Sequence, residues 1–385
     1  MTLATRAGDR PADTHLPDDI QSVSRPSDAI DGLLADALRE TRPDILVVFG
    51  ASAGLRQLVA SSEARRVIVA DRNVVHVRAA ADALKGLDHV AVAVSDGTSH
   101  LDGELRAQAV AIRVPREKRP GLQLIWDAFN LIEPGGKLYV AGAVRDGIKS
   151  YLHHTGELFG GVGTLSMRKG CRVGVAVRRE GGAILPPAFG SELFDHQRFH
   201  VFPIEIRGKV YEIHSRPGVF SWDRFDAGTH ALAETMEIRP ADRVLDLGCG
   251  YGIVGAVASD LATEGSVTMV DADIVAIEAA RRTVAANGQR NTEVLLGDAT
   301  TGLEGDAFDV VAVNPPFHLD RKNDYRTAQR FVTGAVRVLR PGGRLFLVAN
   351  RFLPYEEHVR AAFGDVTKAY EDKSYKVLVA QKRAG

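Results

Sequence analysis

Five consecutive residues, Asn314-Pro315-Pro316-Phe317-His318, are of types that can present a planar nitrogen to an electrophile. Proline has no N–H and stiffens the backbone. The Pro315 carbonyl is therefore free to accept a hydrogen bond, and the Asn314 side chain adds a second acceptor. Two neighbouring acceptors can grip both hydrogens of an exocyclic –NH₂ group and draw its lone pair out of conjugation. They also stabilise the positive charge that grows on nitrogen during an in-line displacement. No low-pKa base is needed, because the proton becomes acidic only as the new bond forms. Phe317 offers a flat face to a planar base or amide, a stack worth about 1–3 kcal/mol for a nucleobase. His318 fits a substrate contact or a turn cap equally well, and Arg321 with Lys322 supplies cations suited to phosphates.

The electrophile is suggested by Asp246-LGCGYG, which follows a β-branched run and precedes a helical one. Such a turn lets the backbone approach a nucleotide-like ligand at a helix amino terminus. Gly248, Gly250 and Gly252 stand at every second position, and Ile253 takes the place of the last glycine in the dinucleotide G-x-G-x-x-G pattern. A carboxylate at Asp246 would repel a pyrophosphate. It suits a ligand that carries positive charge, such as the amino-acid and sulfonium end of S-adenosylmethionine. Asp271 ends the next strand, where a carboxylate can take two ribose hydroxyls. Asp298, with Ala299 beside it, ends the third; it fits an adenine amino group and a helix N-cap equally. Three acids thus end three successive strands at one edge, where open α/β sheets bind ligands.

The elements that position these residues occur twice. Asp44-ILVVFGASAG, Val67-IVADR, Leu131-IEPGGKLYVAGA and Gly170-CRVGVAVRR match Asp242-RVLDLGCGYG, Val267-TMVDAD, Val338-LRPGGRLFLVAN and Ser374-YKVLVAQKR in order. Gly50 precedes Gly248 by 198 residues, Asp71 precedes Asp271 by 200, and Gly135 precedes Gly342 by 207, so the chain is a duplication with small insertions. In the second copy, strands Arg243–Leu247, Val267–Val270, Val294–Leu296 and Val310–Val313 alternate with helices such as Ile274–Ala286, which predicts a parallel sheet covered on both faces. A glycine at Arg340-PGG turns the chain from helix into strand. Val366–Tyr370 and Tyr375–Val379, joined by Glu371-DKS, read as a hairpin that adds an antiparallel strand.

The first copy has Val48 where the second has Asp246, Ser52 for Gly250, and Arg113-Val114-Pro115-Arg116 in place of Asn314-Pro315-Pro316. It is read as a degenerate, structural and RNA-holding half over 29–180. Arg113 to Arg119, and Arg168-Lys169 with Arg172, are its candidate phosphate contacts. Proline and polar residues make 1–28 a disordered tail. Residues 181–230, with a hairpin about Arg207-Gly208-Lys209, read as a linker, and 231–385 as the catalytic domain.

Composition adds bounds. Of 385 residues, 45% are hydrophobic and 25% charged, as in soluble globular chains. The 48 Lys and Arg nearly balance 49 Asp and Glu, so any nucleic-acid surface must be local. Cys171 and Cys249 lie far apart, which indicates neither a disulfide framework nor a metal site. No apolar run has the roughly 18–20 residues of a membrane helix. A cytoplasmic protein without bound metal is expected.

Asp246-LGCGYG with Asn314-PPFH resembles class I S-adenosylmethionine-dependent methyltransferases that act on exocyclic or amide nitrogen. Pro217-GVFSWDRFDAGTHAL, Asn314-PPFH, Val348-ANRFLPY and Tyr375-KV more narrowly resemble the bacterial 16S ribosomal RNA guanine-N2 methyltransferases of the small-subunit (RsmC) type. That resemblance implies two tandem Rossmann-like methyltransferase domains, mostly parallel seven-stranded sheets with an antiparallel terminal strand, only the second keeping the cofactor motifs. It implies action on 16S ribosomal RNA or the small subunit, with a guanine flipped from the stack; separately, a monomer is expected. It also implies that Phe220, Ser221, Asp226 and Thr229 lie near the cofactor and the target pocket. From the residues alone, Ser221-WDRFDAGT is a polar turn before a helix, with Gly228 lending flexibility. Adenine N6, a protein glutamine amide, or a non-catalytic cofactor- and RNA-binding role remain alternatives.

Overall fold

The computed structural model describes residues 26–39, 41–52, 54–181, 185–315 and 321–383, leaving aside the side chains of 26–28 and 321–328. The chain divides into two units, one of residues up to 70 with 79–186, the other of 71–78 with 187–385.

Apart from Asp71 and the first half of α3, which fall in the second unit, the elements of the first unit are α1 (Pro26–Leu38), β1 (Ile45–Phe49), α2 (Leu55–Ser62), β2 (Arg66–Asp71), α3 (Val74–Ala83), β3 (Val90–Val94), β4 (Ala107–Arg113), α4 (Lys118–Leu131), β5 (Ile132–Ala143), α5 (Ile148–Phe159), β6 (Gly163–Arg168) and β7 (Cys171–Val177). Its strands lie in the order β3-β2-β1-β4-β5-β7-β6, with β7 antiparallel to β5.

The second unit holds β8 (His200–Ile206), β9 (Lys209–Ser215), α6 (Ala227–Thr235), β10 (Arg243–Leu247), α7 (Ile253–Leu261), β11 (Ser266–Asp271), α8 (Ile274–Ala286), β12 (Thr292–Leu296), β13 (Phe308–Val313), α9 (Arg321–Val338), β14 (Leu339–Asn350), α10 (Tyr355–Phe363), β15 (Thr367–Glu371) and β16 (Tyr375–Gln381). The order β12-β11-β10-β13-β14-β16-β15 repeats that of the first, and β16 is antiparallel to β14. The two sheets of seven strands expected from the duplication are therefore both present.

Side chains alternate across a strand, and the second sheet uses both faces. Val244, Ala312, Phe346 and Val348 meet α6, α7 and α8 on one side. Leu245, Leu247, Val311, Val313 and Leu347 meet Val332, Ala335 and Val359 of α9 and α10 on the other. Burial on both faces explains why these strands read as continuous apolar runs. Gly342, the fourth residue of β14, takes φ +77°, a conformation disfavoured for any residue with a Cβ.

Two boundaries and one glycine differ from the sequence reading. Helix α1 starts at Pro26, inside the stretch 1–28 read as a tail; residues 1–25 lie outside the described ones. The hairpin β8–β9 forms where the linker was expected, but Ile204, Ile206, Tyr211 and Ile213 are buried in the core of the second unit, which begins at Pro187. The alternation of this hairpin was visible, but the surface it packs on was not. Gly228 is helical rather than flexible: a Cβ there would stand 2.9 Å from the Tyr375 ring, so its role is to admit that ring.

Candidate active site

The glycine turn joins β10 to α7. Gly248, Gly250 and Gly252 have φ of +80°, +55° and +84°, so three of five successive residues adopt a conformation that side chains rarely take. Their surroundings differ. A Cβ on Gly252 would lie 2.9 Å from the Ala280 Cβ, so that glycine serves packing of the turn on α8. A Cβ on Gly250 would meet nothing within 4 Å, and here the backbone is open to a ligand.

Two acids buttress the turn from below. Asp246 is 3% exposed and accepts the Gly255 N–H at 2.8 Å. Burial pushes its carboxyl up to about 7; the Gly255 amide opposes the rise and the Asp271 charge adds to it. Asp271 accepts Gly250 N–H at 3.0 Å on one oxygen and Asp273 N–H at 3.0 Å on the other. Burial raises its pKa too, and those amides oppose the rise. Two of about four lone-pair positions on the Asp271 carboxylate are thus taken, leaving acceptors for hydroxyls. Asp298 is held by Arg330 of α9, whose Nη2 donates to both carboxylate oxygens at 2.7 Å. Neighbouring Ala299 has φ +48°.

Asn314 follows β13 directly. Its Nδ2 donates to Thr229 Oγ1 at 2.9 Å and lies 3.4 Å from Asp226 Oδ2. Asp226 in turn caps α6, accepting Thr229 N–H at 2.7 Å and the Thr229 hydroxyl at 3.0 Å. This clamp fixes which way the amide faces. The other end, Asn314 Oδ1, is buried and has no hydrogen-bond partner among the described residues. A buried, unpaired acceptor costs about 1–3 kcal/mol, so among the described residues this clamped oxygen is the polar atom of the edge that still calls for a donor. Pro315 beside it is also buried.

The residues singled out in the sequence therefore separate. Asp246, Gly248, Gly250, Gly252, Asp271 and Asn314 converge on one sheet edge through β10, β11 and β13. Asp226 and Thr229 orient Asn314 from α6. Phe220 is 56% exposed, and Ser221 has φ +49°. Pro316, Phe317 and His318 lie outside the described residues, and Arg321 and Lys322 are in α9 without described side chains. Sequence reasoning missed Tyr375 as part of the site. It pairs with Asn350 across β14–β16 and lies against Gly228, and burial together with the Asp226 charge raises the pKa of its hydroxyl. The Tyr375-KV motif was the only signal for it.

In the first unit the equivalent edge is closed by charge. Arg113, at the end of β4, pairs through Nη1 with Asp31 Oδ1 at 3.0 Å, and Asp31 Oδ2 accepts Gly54 N–H at 3.2 Å. Asp31 precedes Thr229 by 198 residues, the same offset as the glycines. Arg113 is thus engaged by Asp31 rather than held ready for a phosphate, and Arg168 pairs with Asp36 at 3.1 Å.

Comparison with known proteins places this geometry. The Methyltransferase small domain model matches residues 210–379. The chain is 37% identical over 253 residues to Ribosomal RNA small subunit methyltransferase C of Chromohalobacter salexigens, covering 64% of this chain and 70% of that one. It is 38% identical over 169 residues to the same-named protein of Hahella chejuensis, covering 44% and 49%. With Ribosomal RNA large subunit methyltransferase G of Streptomyces avermitilis it shares 41% over 167 residues, covering 43% and 44%. In these last two the match spans about half of the relative's length. Among solved structures, the T. thermophilus 16S rRNA N2 G1207 methyltransferase (RsmC) in complex with AdoMet and guanosine superimposes with TM-score 0.77 and 26% identity over 92% of each chain. No helix among the described residues is long and apolar enough to cross a membrane.

Proposed function

Since the chain belongs to the ribosomal RNA small subunit methyltransferase C family, we propose that it transfers a methyl group from S-adenosylmethionine to the exocyclic N2 of a guanine in 16S ribosomal RNA. The observation that carries this reading is the clamped Asn314 amide, whose buried Oδ1 awaits a donor.

The chain's residues fit the cofactor. Gly250 offers open backbone, Asp271 retains acceptors for ribose hydroxyls, and Asp246 places a buried carboxyl where positive charge would be welcome. Asp298, through the acceptor positions that Arg330 leaves on its two oxygens, with Ala299 and the remaining glycines of the turn, completes the proposed cofactor set. When bound, S-adenosylmethionine supplies an electrophilic methyl group on a sulfonium. Asn314 Oδ1 accepts one hydrogen of the guanine amino group and the Pro315 carbonyl the other, which aims the nitrogen lone pair and disperses its developing charge. Pro316 stiffens the turn, while Phe317 stacks on the base and His318, Arg321, Lys322, Phe220 and Ser221 line the approach. Asp226 and Thr229 act through Asn314 as positioning residues. The first unit holds RNA without cofactor. The reading carries with it a cytoplasmic location and a monomeric chain.

A second reading keeps the chemistry and moves the target to large-subunit RNA; the 41% identity to the large-subunit methyltransferase G relative favours it. One assay separates them. Protein is incubated with labelled S-adenosylmethionine and, in turn, small subunits, large subunits, deproteinised RNA, DNA and a protein acceptor, and the modified unit is identified. N2-methylguanosine in small-subunit RNA is expected. Label in large-subunit RNA would transfer support to the second reading, and label on adenine or glutamine would overturn both.

A further inference from the structure

Phe352 is 82% exposed, the most exposed large apolar side chain among the described residues. A single surface phenylalanine ordinarily needs no explanation. This one stands on a turn that is built rather than loose. Lys376 is only 3% exposed, and its ammonium donates to Arg351 O at 3.0 Å, Leu353 O at 2.8 Å and Glu356 Oε2 at 2.6 Å. Phe352 N–H bonds Asn350 Oδ1 at 3.1 Å, and Arg351 N–H bonds Ser374 O at 2.8 Å. A buried, fully paired lysine thus pins the backbone on both sides of Phe352 while the ring itself touches water.

The turn also has a definite place. Strands β13 and β14 run parallel with Val313 level with Leu347, so Asn314 leaves the sheet one residue below the level of Ala349 and beside the strand that carries Phe352. Asn350 pairs with Tyr375, whose ring packs with Asp226 about Gly228, and Asp226 is the cap beneath the Asn314 amide. Phe352 is therefore held on the same carboxyl edge of the sheet that Asn314 leaves, on a turn fixed by the buried Lys376.

We propose that Phe352 is a base-stacking residue, its ring inserting against a base that flanks the target nucleotide and filling the stack when the target is drawn out. The proposal rests on the RNA reading above and deepens it. Drawing a base out of a stack exposes the faces of its neighbours, and a rigid flat ring recovers that stacking without sequence preference. Fixing the backbone in advance matters because less entropy is then lost when the ring is ordered on binding.

The test uses the full chain, Phe352→Ala and Phe352→Trp, with 16S ribosomal RNA. For Phe352→Ala, RNA affinity and kcat/KM on RNA should fall about 5- to 100-fold, the loss of one base stack, while S-adenosylmethionine affinity stays within twofold. Phe352→Trp should remain within about threefold of the parent, and its additional indole emission should quench on RNA addition. Unchanged RNA affinity in Phe352→Ala, or unquenched emission from Phe352→Trp, overturns the proposal even if methylation proceeds. Quenching and weakened RNA binding together with label on a nucleotide other than guanine would retain the stacking role and sink the guanine assignment instead.

Discussion

The two sheet edges of this chain share strand order, glycine turn and helix placement, and they differ in how their polar groups are satisfied. At the first, Asp31 and Arg113 neutralise each other and Asp31 also takes the Gly54 amide. At the second, Thr229 and Asp226 take only the amino end of Asn314, and Oδ1 is left over. A site closed on itself contributes to the fold, whereas a site that leaves one clamped acceptor unpaired is ready to bind. The loss of Asp246, replaced by Val48, and of Gly250, replaced by Ser52, belongs to the same contrast.

That contrast can be broken at its strongest point by Asn314→Ala. Methyl transfer should fall about 10²- to 10³-fold, the usual cost of removing one preorganised group that meets developing charge, with S-adenosylmethionine affinity within threefold. Comparable loss of both would mean that Asn314 holds the cofactor rather than the acceptor. In the first unit, Asp31→Asn leaves Arg113 without its counter-charge and should lower stability by about 2–3 kcal/mol in denaturant unfolding, less than for a fully buried pair because Arg113 is partly exposed. Thr229→Val at the matching position keeps the Thr229 N–H cap on Asp226 and should cost about 1 kcal/mol of stability, while lowering turnover about tenfold or more. Equal destabilisation by both would erase the distinction between a structural edge and a working one.

The smallest effect is in pH. Burial holds Asp246 at about 7 in the free protein, so a cationic ligand that favours its ionised form must expel a proton at lower pH. Affinity for S-adenosylmethionine should fall about tenfold between pH 8 and 6, with proton uptake by buffer visible in calorimetry, and Asp246→Asn should flatten the profile. The sign is opposite for the empty fold: the folded chain holds this proton more tightly than the unfolded one, so the group's contribution to stability declines as pH climbs from about 4 to about 7.

Much of this was legible in the residues, and the remainder was not, for physical reasons. Continuous apolar runs and paired glycine turns showed two parallel sheets of like plan, each with an antiparallel strand, though not their strand order, and Ile274–Ala286 is the helix expected. The Asp246, Asp271 and Asn314 convergence follows from three parallel strands ending at one edge. The clamp on Asn314 reaches 85 residues back to Thr229, and the Arg113 pair 82 residues back to Asp31; such contacts depend on where a preceding helix lies over the sheet. The hairpin β8–β9 read as a linker because its alternating pattern shows that one face is buried without showing against what.

The most direct trial of the account is a calorimetric titration of S-adenosylmethionine into the full chain, Asp271→Ala and Asp71→Ala, each checked for folding by circular dichroism. One binding site per chain, lost in Asp271→Ala and kept within threefold in Asp71→Ala, is the result the account predicts. Two sites, or a single site abolished by Asp71→Ala and retained in Asp271→Ala, would contradict it.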